Sequence, residues 1–167
     1  MASELSHPAV ERVLRALGGR KLTAYAVAER DGVAAVVVQD DVTRYVVLVE
    51  RRNEEWVVPT AINGGRRDAL TPRPSKTESP HALQQVAVIK SGWPRADGER
   101  PDIAWCAVTG TAALDARDVL VATDSDAHTV SVRLDGYVLA VVRAGWQERP
   151  SVAVHTRDGR QVADQQP

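Results

Sequence analysis

Short runs of β-branched and apolar residues, broken again and again by Gly, Pro or Asp-Gly, occupy the chain from Thr23 to Ala163. A β-branched side chain keeps its preferred rotamer on a pleated surface and crowds the preceding turn of a helix. Runs of this length therefore predict strands at 23–29, 33–39, 43–49, 56–58, 84–90, 103–109, 119–122, 129–134, 137–142 and 151–156, with a last short piece at 161–163. The chain has no Phe and one Met, so Val, Ala and Leu must build the core around four Trp and three Tyr. The expected fold is mainly β: a two-layer sandwich or partly open barrel of about ten short antiparallel strands with one short N-terminal helix.

The helix signal lies at residues 7–18. Val10, Val13, Leu14 and Leu17 recur at helical spacing, Pro8 suits a first turn, and Gly18-Gly19 supplies a stop. Asp31-Gly32 predicts a tight hairpin between the first two strands, and Asp135-Gly136 predicts another joining residues 129–134 to 137–142. The 167 residues read as a single domain with a long flexible loop at 63–82, polar and Pro-rich, and a frayed tail at 164–167. A second polar connection, 91–102, contains Trp93.

Net charge is -1 and no stretch is strongly basic, which argues against nucleic acid as a partner. No run approaches the ~20 apolar residues of a membrane span. Residues 1–17 carry Glu4, Glu11, Arg12 and Arg15 and lack the continuous apolar core of a secretory signal, so a cytoplasmic protein is expected. The lone Cys106 excludes an internal disulfide and lies in an apolar run, Ile103 to Val108, that reads as a buried strand with a small core thiol.

Catalytic signatures are missing. His7, His81, His128 and His155 show no metal-ligand spacing, and the acids Asp115, Asp118, Asp124 and Asp126 do not match a calcium loop. Residues 45–65 (YVVLVERRNEEWVVPTAINGG) resemble the strand-and-Gly segment that opens Nudix hydrolases. The helix that should follow, with the Arg and Glu cluster that holds Mg²⁺, is replaced by a Pro-rich stretch. No cofactor and no metal is implied.

Trp93 and Trp146 each follow a Gly in a loop. In a chain without Phe such residues either plug the ends of the core or form contact sites. Together with Arg66, Arg67 and Arg73 of the long loop they are the candidate binding residues; no catalytic residue stands out.

From Ile103 onward the chain resembles β-rich domains of uncharacterised actinobacterial proteins, often membrane-anchored or anti-sigma-like. Ala104-Trp105, the strand entered through Asp135-Gly136-Tyr137 and running to Val142, Pro150 and Asp158-Gly159-Arg160 carry the resemblance. It implies an interaction or sensing role and brings no catalytic residues with it. The resulting expectation is a non-enzymatic module that binds a protein partner or forms a homo-oligomer. The alternative is a small enzyme or ligand-binding protein whose site is assembled from distant strands. A deep apolar pocket with His128, His155 or Asp side chains converging would favour the alternative; a flat Trp-bearing face would favour the module.

Overall fold

Valines at consecutive strand positions can bury both faces of a strand, and the residues from Val33 to Val38 do so completely, none being more than 4% exposed. The computed structural model describes residues 6–18, 21–58, 62–67, 71–91 and 102–165. The chain divides into two compact units, residues 1–70 and 71–167, in place of the one domain expected. Each has its own apolar cluster, and valine-rich strands on both sides of the boundary leave no change of composition to mark it.

In the first unit β1 (Thr23–Arg30), β2 (Val33–Gln39) and β3 (Thr43–Arg52) form an antiparallel meander. The Asp31-Gly32 hairpin is present, with both φ angles positive at 53° and 76°. The short strands β4 (Glu55–Val57) and β5 (Asn63–Arg66) both pair with the far edge of β3. Helix α1 (Pro8–Ala16) lays Val10 and Val13 on Ala34, Val36, Val38, Val47 and Val49. The Nδ1 of His7 caps it by accepting the Ala9 N–H at 3.1 Å. β2 lies between β1 and β3, so its valine run is not an edge open to another chain.

The second unit is a two-layer sandwich. One sheet holds β6 (Leu83–Lys90), β7 (Ile103–Ala112) and β10 (Tyr137–Gly145) in the order β10-β7-β6. The other holds β8 (Ala116–Ala122), β9 (Ala127–Ser131), β11 (Ser151–Thr156) and β12 (Gln161–Ala163) in the order β12-β11-β8-β9. Cys106, Val108, Val138, Ala140 and Val142 of the first sheet meet Val119, Val121, Val152 and Val154 of the second. This strand order is that of an immunoglobulin constant-type sandwich with one change: the fourth strand joins the sheet of the third instead of that of the fifth. None of the three sheets closes into a barrel.

Three expectations change. The segment from 129 to 142 is not a hairpin, because β9 pairs with β8 and β10 with β7. The turn between them carries the chain from one sheet to the other. The stretch expected as a loop at 63–82 contains β5 and an anchored segment; residues 68–70 lie outside those described. There Arg73 donates to the carbonyls of Ala112, Leu134 and Ala113 at 2.8–3.0 Å, and buried Thr77 donates from both N and Oγ1 to Asp115. Polar residues can order a chain without apolar anchors when their donors meet otherwise unpaired carbonyls and carboxylates. The tail is likewise tied: the N–H of Asp164 donates to Val152 O and that of Gln165 to Pro80 O, both at 2.8 Å, while 166–167 lie outside the described residues.

Candidate functional site

The pairing of β10 with β7 sets Arg143 directly across from Trp105. The alternation that sends Ala104, Cys106, Val142 and Ala144 into the core sends these two to the outer face. The guanidinium carbon sits 4.8 Å from the centre of the indole, a cation–π contact. Ile103, two residues before Trp105 and so on the same face, is 53% exposed. The backbone of Arg143 is held from the β8–β9 loop: its N–H donates to Asp126 Oδ2 at 2.8 Å, and its carbonyl accepts from Thr123 Oγ1 at 2.6 Å. These bonds occupy the strand edge here, leaving the side-chain face as the accessible feature.

Beside this pair the turn after β10 presents Trp146, whose N–H donates to Asp102 O at 3.2 Å. Lys90 Nζ donates to the carbonyls of Gly145 at 3.0 Å, Trp146 at 2.7 Å and, more closely, Glu148. The Glu148 carboxylate accepts the opposite set, the N–H groups of Asp124 at 2.5 Å and Gly145 at 2.8 Å. Those bonds, the one from Asp124 foremost, hold its carboxyl below the usual carboxylate range. One cation on the carbonyls and one anion on the amides fix the shape of the turn. An open groove of about 460 Å³ runs past it, lined by Val88, Lys90, Gln147, Glu148 and Arg149.

Of the five residues expected to bind, Arg66 and Arg67 belong to the first unit, and Arg73 and Trp146 stand at opposite ends of β10 in the second. Trp93 lies outside the described residues. Arg66 is exposed on β5 of the first unit, and Arg67 there donates from its backbone to Val42 O at 2.7 Å and from Nη1 to Asp40 O at 2.9 Å. Arg73 is a clamp on three carbonyls at the Tyr137 end of β10, whereas Trp146 follows the Gly145 end, roughly 30 Å away at the strand rise. Of the two described in the second unit, Trp146 belongs to the site and Arg73 does not; Ile103, Trp105 and Arg143 are its unanticipated members. Strand alternation alone places Ile103 and Trp105 on one face, but Arg143 joins them only through the β7–β10 register, 38 residues away in sequence.

Among the described residues the other His, Cys and Asp groups stand apart from one another except for one pair. His155 Nδ1 lies 2.5 Å from Asp118 Oδ1, its cross-strand partner on the outer face of the four-stranded sheet. Arg117 Nε donates to the other oxygen at 2.7 Å, and that bond leads the causes that lower the Asp118 pKa. Ser131 is the next residue in the row, but it faces Asp118 and not His155. The nucleophile-to-base contact that hydroxyl catalysis needs is therefore not made. His128 sits across from Val121 on the inner face, away from His155. Cys106 is fully buried and burial pushes its thiol up to about 11, which keeps it protonated and poorly nucleophilic. Among the described residues no group of three His, Cys, Asp or Glu could hold a metal ion, and no helix is long and apolar enough to cross a membrane. No family model, curated protein or solved structure matches the chain.

Proposed function

We propose that the chain is a non-enzymatic protein-interaction module which presents the Ile103, Trp105, Arg143 and Trp146 end of its second unit to a polypeptide partner. The observation that carries this reading is the Trp105–Arg143 stack on β7 and β10 beside exposed Ile103, next to a turn wired by Lys90 and Glu148. Trp and Arg dominate the energetics of contact surfaces, and a surface fixed before binding loses less entropy when it binds. The resemblance of residues from Ile103 onward to β-rich domains with supposed interaction roles supports the same reading. A cytoplasmic setting fits a chain with one cysteine and no possible internal disulfide. The enzyme alternative rests on His155 and Asp118, a pair on the outer face of the four-stranded sheet.

The test is a photo-crosslinking side chain placed at position 103 in cells producing the protein, with position 134 as the control. Leu134 is 91% exposed and sits on the turn that Arg73 clamps at the other end of β10. Discrete polypeptide adducts are expected at 103, lost when Arg143→Glu is added. No adduct at 103, or the same adducts from both positions, overturns the proposal.

A further inference from the structure

The same surface carries its own complement. The exposed acid Asp102 adjoins Ile103 and the exposed base Arg143 lies across from Trp105, while a second exposed acid and base, Asp124 and Arg149, lie in the neighbouring loop and turn. They belong to one end of the sandwich. The carbonyl of Asp102 accepts from Trp146, the N–H of Asp124 donates to Glu148, and Arg149 follows in the same turn. In a two-fold contact a residue that meets another is met by that other's copy, so a surface of one sign repels itself and one of mixed sign can pair. A chain of net charge -1 adds no long-range repulsion between copies.

Resting on the interaction reading, we infer that the partner at this end is a second copy of the chain, joined face to face about a two-fold axis through the Ile103–Trp105–Arg143 surface. Side chains make the contact, because the bonds from Asp126 and Thr123 occupy the β10 edge at Arg143. Six residues are far fewer than the roughly 20–30 a side of a standard stable interface. The dimer is accordingly weak, with a dissociation constant on the order of 10 µM to 1 mM.

Sedimentation velocity on the full chain, from about 5 to 500 µM, reads this directly. The wild-type sedimentation coefficient is expected to rise with concentration and to rise less in high salt. Ile103→Asp and Arg143→Glu should each weaken association at least ~10-fold. Both side chains are exposed, so unchanged melting curves would show the variants folded. Leu134→Asp, at the other end, should associate like wild type. A wild-type monomer at the highest concentration overturns the second copy as partner. It leaves the interaction reading to the adducts at position 103, whose masses distinguish another polypeptide from this one. A dimer indifferent to Ile103→Asp and Arg143→Glu, or one abolished by Leu134→Asp, overturns the placement.

Discussion

Two Asp-Gly turns in the second unit are built alike and do different things. Arg133 to Tyr137 and Thr156 to Arg160 each close on themselves: the first residue's N–H donates to the last residue's carbonyl, and the Gly N–H donates back to the first carbonyl. Gly136 and Gly159 occupy the left-handed region at φ 85° and 88°. The Thr156 turn joins β11 to β12 as a hairpin within one sheet. The Arg133 turn joins β9 to β10, which part into different sheets. Both are tied to the β7–β8 connection. In the Thr156 turn Arg157 donates from its N–H and Nη1 to Asp115 O and Leu114 O, and Arg160 Nη2 donates to the Asp115 carboxylate. In the other, Arg73 reaches from 61 residues upstream to bind Leu134 O together with Ala112 O and Ala113 O, tying the tip of the turn to the β7–β8 connection. What separates them is which strand each exit pairs with. Local chemistry decides how tightly the chain reverses, and distant contacts decide which sheet receives it.

The largest effect expected on this pair of turns is from Gly136→Ala. A Cβ there would lie 2.3 Å from Arg73 Nε, on a backbone that L side chains rarely adopt. Displacing the clamp while straining the turn should cost about 3 kcal/mol in urea unfolding. Arg73→Ala alone should cost about 2 kcal/mol, because three carbonyls lose a charged donor and water restores only part of it. Adding Gly136→Ala to Arg73→Ala should then cost only the backbone strain, about 1 kcal/mol. If the two costs simply add, Arg73 does not fill the space above Gly136.

Gly159→Ala comes next. A Cβ at 159 meets nothing within 4 Å, so φ strain alone remains, again about 1 kcal/mol. An equal loss from Gly136→Ala and Gly159→Ala would erase the distinction between the turns.

The smallest effect is on pH dependence. Asp158 in the hairpin turn is held below its usual 3.8 by hydrogen bonds, first from Thr156 and then from Arg160. A depressed folded-state carboxyl stabilises the protein above its unfolded pKa, and that contribution is lost as the pH falls through the folded value. Asp118 and Glu148 act in the same direction. Stability should therefore fall as the pH drops below about 4, and Asp158→Asn should flatten that fall slightly. A steeper acid limb in Asp158→Asn would contradict the sign.

The sequence by itself determined the strands, because period-two alternation and β-branched runs are local properties that burial then rewards. Every run predicted as a strand holds one, although that at 129–134 ends at Ser131, and the helix, its Pro8 start and the Asp31-Gly32 hairpin are where the pattern places them. β5 escaped because Asn63-Gly64-Gly65-Arg66 has no strand propensity; pairing with β3 makes it one, every residue exposed. Arg73 reads as a candidate binding residue because its three acceptors lie about 40 and 61 residues downstream. The stack of Arg143 on Trp105 depends equally on a register that neither residue announces. Only the tertiary structure decided these matters: hydrogen-bond partners and sheet neighbours are set by which distant segments pack together, and periodicity reports a residue's face but not what lies across from it.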